Sequence, residues 1–309
     1  MASLLDPAVP KGSTVVVTGT NGFIGSHVAD QFLKEGYNVR GTVRDTDKNI
    51  WLRELFEKKY GPGRFELLSV PDISIAGSYD HVAKGASAFI HVAAIVGVES
   101  DPNKVIPTVV AGAVNALKAA YAEPAIKRFV LTSSSSAVLP ADTDTYMQPV
   151  VVTEDSWSED AVKLAWAPPP YAPERGLAVY AASKVESEQA VWKYHKEHQL
   201  TRPDLTVNTE NFVDVQDTAI LHVAATILPN VQNERIFAFA EPFNWDRVLA
   251  VLRKQNPGHA FPDDFEAREY PHIIKPKQRA EELLKAMGRS GWTSLEDSLL
   301  QNTEDVRQV

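Results

Sequence analysis

The chain has 309 residues, 44% of them hydrophobic and 23% charged, with a formal net charge of −9. That composition suits a globular protein with a sizeable core, as one large domain or two smaller ones. The acidic balance argues against nucleic-acid binding, the lack of cysteine excludes disulfides, thiolate metal sites and cysteine nucleophiles, and no apolar run is read as reaching the roughly 20 residues of a membrane span. The first residues carry neither a basic stretch nor a long apolar one, so no secretory signal is expected and the cytoplasm is the default location.

The first element is a β-favouring run at 14–17, read as a buried strand. Gly19, Gly22 and Gly25 follow, and then an apolar-periodic segment through Val28, Phe32 and Leu33. Strand, tight glycine turn and helix aim backbone N–H groups and a helix N-terminus at one spot, where an anionic pyrophosphate is stabilised. In such a unit Gly19 permits the turn, Gly22 lets phosphate approach the backbone, and Gly25 lets helix and strand pack closely. The spacing is one residue longer in its first gap than the commonest dinucleotide fingerprint, so the flanking strand and helix carry the weight.

Gly36 sits where a left-handed helix end belongs, and 37–43 reads as a second strand. Beyond its tip, an acidic residue suits a ribose 2′-hydroxyl and a cation suits a 2′-phosphate. Arg44, supported by Lys48, points to NADP(H), while Asp45 keeps NAD(H) as the alternative. A helix at 50–60 ends at Gly61-Pro62-Gly63, and 65–70 is the third strand. Asp72 and Ile73 lie just past it, placed to bracket an adenine. A short helix at 79–84 precedes a fourth strand at 88–94, whose small Ala93 and Ala94 leave room above the sheet edge. His91 within it is read as a core histidine.

A long helix at 103–121 leads to a fifth strand at 128–132, which ends in hydroxyls from Thr132 to Ser136. Strands alternating with helices at this rhythm predict an α/β fold, a Rossmann-like doubly wound parallel sheet, with ligands at the carboxyl ends of the strands. Residues 137–177 are proline-rich and irregular, but Trp157, Trp166 and Tyr171 suggest an ordered wall or lid. The helix at 178–199 carries Tyr180 and Lys184, four apart and so on one face. A free phenol is too weak an acid–base for neutral pH, but a nearby ammonium stabilises the phenolate. Such a phenol can protonate a carbonyl oxygen as hydride reaches the carbon, and a serine at the end of strand five can hold the same oxygen.

With its motifs Thr18-Gly19-Thr20-Asn21-Gly22-Phe23-Ile24-Gly25, Asp72-Ile73, His91-Val92-Ala93-Ala94, Thr132-Ser133-Ser134 and Tyr180-Ala181-Ala182-Ser183-Lys184, the chain resembles the extended short-chain dehydrogenase/reductases. Within that family it looks most like fungal aldehyde and ketone reductases and their dihydroflavonol reductase-like relatives. The narrower likeness rests on residues 39–44, 126–134, 234–238 and 288–292. The resemblance implies an NADPH-dependent carbonyl reductase. By position Ser134, in preference to Ser133, would polarise the carbonyl, Tyr180 would donate the proton, and Lys184 would tune Tyr180 and contact the nicotinamide ribose. Gly19, Asn21, Gly22, Phe23, Ile24, Gly25, Arg44, Lys48, Asp72, Ile73 and Ala93 would join Tyr180 and Lys184 around the cofactor. No metal is expected: His195 and His198 are read as a solvated helix face.

One departure stands out. A strand at 204–210 runs directly into the block 211–217, where the family has a long segment covering the nicotinamide and building part of the substrate lobe. Parallel strands also need a crossover of about a dozen residues, and none is visible at this join. The expected organisation is a dinucleotide-binding domain at 1–210 and a small, truncated C-terminal substrate lobe at 211–309. Within the latter, the pattern predicts a helix at 217–228, a short strand at 235–240, a helix from the Asn244 cap to Gln255, a helix between Pro276 and Gly288, and a last helix capped by Thr293 with Glu296. Val96, Trp157 and Trp166 suggest a small hydrophobic carbonyl substrate, and the protein is expected as a monomer or homodimer. Two other readings stay open: a dinucleotide-binding protein impaired in catalysis, and an NAD-dependent nucleotide-sugar epimerase or dehydratase.

Overall fold

A computed structural model describes residues 6–95, 99–141, 148–198, 203–210, 212–266 and 272–304. Its strands are β1 (Thr14–Thr18), β2 (Asn38–Val43), β3 (Phe65–Ser69), β4 (Ala88–His91), β5 (Arg128–Thr132), β6 (Val151–Val152), β7 (Asp204–Glu210), β8 (Glu234–Ala238) and β9 (Ile273–Ile274). Its helices are α1 (Phe23–Lys34), α2 (Ile50–Tyr60), α3 (Asp80–Ala83), α4 (Pro102–Ala122), α5 (Glu159–Ala165), α6 (Gly176–Glu197), α7 (Val215–Ile227), α8 (Trp245–Gln255), α9 (Lys277–Ala286) and α10 (Leu295–Asn302). Seven strands form one parallel sheet in the order β3-β2-β1-β4-β5-β7-β8, while β6 and β9 pair separately.

Alternation along β1 explains the layering. Val15 and Val17 pack with Val28 and Phe32 of α1 and Leu221 of α7, whereas Val16 faces Leu117 of α4, Phe89 and Phe129. A strand buried on both sides reads as an unbroken apolar run, which is the pattern at 14–17. The strand order reverses between β1 and β4, and that switch point opens a crevice at the carboxyl ends of the two strands.

The join after β7 resolves differently from the expectation of a missing crossover. Residues 212–214 hold no strand: Asp214 caps α7 by accepting the Gln216 N–H at 2.8 Å. Helix α7 is itself the crossover to β8, which pairs in parallel with β7. The sheet therefore continues across the 210/211 point, and α7 packs against α1 on the face it shares with β1. Asn211 lies outside the described residues.

Three sequence expectations are corrected here. Helix α4 is long and apolar enough to cross a membrane by length and composition, yet in this fold it packs Val105, Ile106, Ala113 and Leu117 into the protein. Ser294, not Thr293, caps α10 by accepting the Asp297 N–H. Thr293 instead donates its N–H to Asp217 Oδ2 at 2.6 Å. Finally, His195 is buried and its Nδ1 lies 2.7 Å from the Tyr121 hydroxyl, because that side of α6 faces α4; His198 alone is exposed.

Asp217 ties the short connection to the C-terminal segment. It is fully buried on α7, and Arg289 Nη2 lies 3.0 Å from its Oδ1 as an ion pair off hydrogen-bonding alignment. Removing the carboxylate strands a backbone donor in the interior and leaves Arg289 without its counter-charge. Asp217→Ala is expected to cost about 2–4 kcal/mol, read as a lower urea midpoint; an unchanged midpoint would show that this tie contributes nothing.

Candidate active site

The glycine turn is set by close contacts. Gly19 has φ +67°, and a Cβ there would lie 3.0 Å from the Cα of Ala93. A Cβ on Gly25 would lie 2.2 Å from the Gly19 carbonyl oxygen, so only glycine lets α1 begin against the turn. Gly22 donates its N–H to that carbonyl at 3.0 Å and stands as the N-cap of α1, with no side-chain cap. The opening N–H groups of α1 are thus left for an external acceptor. Asn21 and Phe23 are exposed at the rim, with the Phe23 ring edge-on to His27, and Ile24 turns partly into the core. Sequence reasoning missed Gly41 in β2. A Cβ there would meet Phe65 at 2.7 Å and Thr20 Oγ1 at 2.8 Å, so Gly41 makes room for the turn. A glycine inside a strand was the available signal.

At the tip of β2, Arg44 is exposed and pairs with no acidic side chain among the described residues. Asp45 is occupied. Its Oδ1 accepts the backbone N–H groups of Lys48 and Asp47, and Lys48 Nζ lies 3.2 Å from its Oδ2. The bonds from Lys48 lead in holding this carboxyl below its ordinary range. The pair leaves Arg44 as the uncommitted cation and Lys48 as a partly neutralised one. Asp72 turns into its own loop, accepting from Ser74 N at 2.8 Å and Ser74 Oγ at 2.6 Å. Ile73 lies against α4, where a Cβ on Gly112 would come within 2.7 Å of its Cδ1.

Two buried histidines brace the strand ends. Thr18 Oγ1 accepts from Val92 N at 3.0 Å and Ala93 N at 2.9 Å, so its O–H donates to His91 Nδ1 at 3.1 Å. This fixes Ala93 over the turn and leaves the His91 proton on Nε2. Burial, reinforced by the Lys184 charge, pushes the His91 pKa down to about 3. His222 of α7 donates Nδ1–H to the Thr218 carbonyl at 2.9 Å and accepts from the Thr132 hydroxyl at 2.8 Å. Burial lowers its pKa to about 4.

The candidate catalytic residues meet at the end of β5. Lys184 is buried, and its Nζ lies 3.3 Å from the Thr132 carbonyl and 6.0 Å from the centre of the Tyr180 ring. Tyr180 is half-buried one turn earlier on α6. The two serines differ in what each hydroxyl touches. Ser133 is buried and donates to Glu188 Oε2 at 2.7 Å. Ser134 is half-buried, and its Oγ accepts the Ser136 N–H at 3.2 Å, leaving the hydroxyl proton free to donate.

The loop aromatics are held by contacts of their own. The Trp157 ring carries the guanidinium of Arg235 at 4.1 Å, and Trp166, whose ring stays exposed, donates Nε1–H to Glu186 at 2.5 Å. Tyr171 sits against Arg175 at 5.1 Å, and Val96 lies outside the described residues. A cavity of about 410 Å³ is lined by Trp157, Trp192, Arg235 and Arg279 among others, and none of Ser134, Tyr180 and Lys184 lines it.

Taken together, an uncapped helix following a glycine turn at the switch point of a parallel sheet defines a Rossmann-type dinucleotide-binding protein. Residues 15–205 match the NAD dependent epimerase/dehydratase family, and the chain belongs to that family. It is 35% identical to "Aldehyde reductase 2" of Sporidiobolus salmonicolor, covering 97% of each protein, and 38% identical to "Ketoreductase adrE" of Penicillium rubens, covering 94% of this chain and 96% of that one. The Gre2 structure from Candida albicans, solved in complex with NADPH, shares the fold with a TM-score of 0.80 at 24% identity, over 97% of this chain and 99% of that one. The alignment with aldehyde reductase 2 runs over 338 positions where this chain has 309 residues, so part of it has no counterpart here.

The neutral histidines set a pH dependence. A folded-state pKa below the ordinary value of about 6.5 means that the unfolded chain takes up protons first as pH falls. Their stabilisation is complete above pH 6.5, declines as pH drops from there, and levels off near 4 for His222 and 3 for His91. The expected slope is about 1.4 kcal/mol per pH unit per histidine. Denaturation measured from pH 7 to 4.5 should show it, and His222→Asn should flatten it; parallel profiles would refute the assignment.

Proposed function

We propose that the protein is an NADPH-dependent carbonyl reductase, converting aldehydes or ketones to alcohols. The observation that carries this reading is Lys184 seated on the Thr132 carbonyl at the carboxyl end of β5, with the Tyr180 ring 6.0 Å from its Nζ and Ser134, its hydroxyl proton left to donate, two residues past Thr132, on the sheet edge where α1 begins uncapped. The residues suit the cofactor. The first turn of α1 offers N–H groups to a pyrophosphate, with no Cβ at Gly22 to block approach. Arg44, which has no acidic partner among the described residues, is the cation for a 2′-phosphate, while Asp45 is bound to Lys48 and its own loop. The names of the curated relatives, an aldehyde reductase and a ketoreductase, support the same chemistry.

Bound NADPH supplies the hydride. The chain supplies the rest: Ser134 donates a hydrogen bond to the carbonyl oxygen, and Tyr180 gives that oxygen its proton. The Lys184 ammonium then stabilises the phenolate left on Tyr180. Lys184 can do so because it is held buried by the Thr132 carbonyl, and among the described residues no carboxylate pairs with it.

Tyr180→Phe is expected to lower kcat by about 100-fold or more, with NADPH affinity retained by calorimetry. NADPH oxidation with a panel of aryl ketones and aldehydes supplies the assay, and a fully active Y180F protein would refute the proton-donor role. Arg44→Ala should weaken NADPH binding about tenfold while leaving NADH binding unchanged; equal losses for both cofactors would move the phosphate contact elsewhere. A second reading, cofactor binding without turnover, is favoured by the direct passage from β7 into the α7 cap and by the aligned positions that this chain lacks. Calorimetric NADPH binding without oxidation of any substrate in the panel would select it, and NAD retained through purification would point to epimerase or dehydratase chemistry.

A further inference from the structure

Ser134 is lightly anchored by its own side-chain bonds: among the described residues its Oγ has one, accepted from Ser136 N in the next turn. Its neighbours are held far more firmly. Ser133 donates to Glu188 Oε2 at 2.7 Å, and Glu188 is fully buried one turn beyond Lys184 on α6. Arg235 of β8 meets the other oxygen, Nε to Oε1 at 2.7 Å, and its side chain is 7% exposed. Arg235 Nη1 then donates to the carbonyls of Glu154 at 2.5 Å and Ser156 at 3.0 Å, with the Trp157 ring under the guanidinium. The loop closes the circuit, because Ser158 donates its N–H to the Ala137 carbonyl at 2.9 Å. Ala137 ends the short 3-10 turn, Ser135–Ala137, that Ser134 caps.

From this closed ring we infer that Glu188, paired with Arg235, is a positioning residue for Ser134. It fastens the end of β5 to the helix that carries Tyr180 and Lys184. A buried ion pair adds little net stability over apolar packing, but it holds hydrogen-bond partners to one geometry. Neutral amides would leave Arg235 uncompensated; a carboxylate serves Ser133 and Arg235 together and also lies 3.4 Å from Trp192 Nε1. The ring passes through β8, the loop at 153–158 and α6, so it couples the position of Ser134 to the C-terminal part of the sheet. The inference deepens the reductase reading of this site and rests on it for its kinetic consequence.

Ser133→Ala tests the ring at its gentlest point, since the Glu188–Arg235 pair stays whole. The expected result is a kcat for aryl-ketone reduction lowered about fivefold or more, with KM and the NADPH dissociation constant within twofold and a modestly lower melting temperature, because Glu188 Oε2 loses a buried donor. Hydrogen exchange read by mass spectrometry should quicken in the peptide covering residues 133–138 and stay unchanged elsewhere. Unchanged kcat overturns the inference, as does a kcat loss without that local change or with faster exchange throughout the protein. A wild-type protein without turnover would sink the reductase reading instead. The exchange comparison then decides the ring alone, local quickening supporting it and unchanged exchange refuting it.

Discussion

The site depends on one close approach, that of α1 to the turn at Gly19. No side chain fits between Gly25 and the Gly19 carbonyl, so the helix starts in contact with the backbone it follows. That contact aims the uncapped N–H groups at the crevice between β1 and β4. Thr18 then secures the other wall, because one hydroxyl accepts from both Val92 and Ala93. Gly19 must be small for Ala93 to sit there, and Gly41 must be small for Thr20 to tuck under β2. The anion-binding end of α1 is therefore a product of steric fit among four short residues.

The buried charge of Lys184 is the second constraint. Its ammonium enters an environment that disfavours charge, beside a histidine that the same burial keeps neutral. The Thr132 carbonyl at the end of β5, 3.3 Å from Nζ, compensates it. The Thr132 hydroxyl meanwhile binds His222, so β5 is clamped to α6 by its backbone and to α7 by its side chain. Helix α7 consequently serves two ends. It crosses from β7 to β8 despite the short join, and it holds the strand that leads into Ser134.

Much of this was legible in the residues. The glycine turn, the alternation of strands and helices, the Arg44 tip and the Tyr180–Lys184 pair are local patterns, and local patterns survive the loss of three-dimensional context. The hydroxyl cluster after β5 was legible only as a cluster. Which of Ser133 and Ser134 spends its hydroxyl proton inside the protein depends on Glu188, which is 55 residues from Ser133 in the chain. Trp157 was legible as an ordered loop aromatic, but not the stacking of Arg235 from β8 on its face. His195 looked solvated until α4 was placed against α6.

By itself, the sequence determined the order of the elements, the parallel sheet and the identity of the residues that meet at its carboxyl edge. Those follow from periodicity of apolar side chains and from glycine positions, which act within a few residues of themselves. Tertiary structure alone decided how the abrupt join after β7 is absorbed, which serine is free, and what holds it there. Each of those turns on contacts between segments far apart in the chain, and a buried carboxylate such as Glu188 reveals its role only when the charge and the hydroxyl that satisfy it have been brought to it.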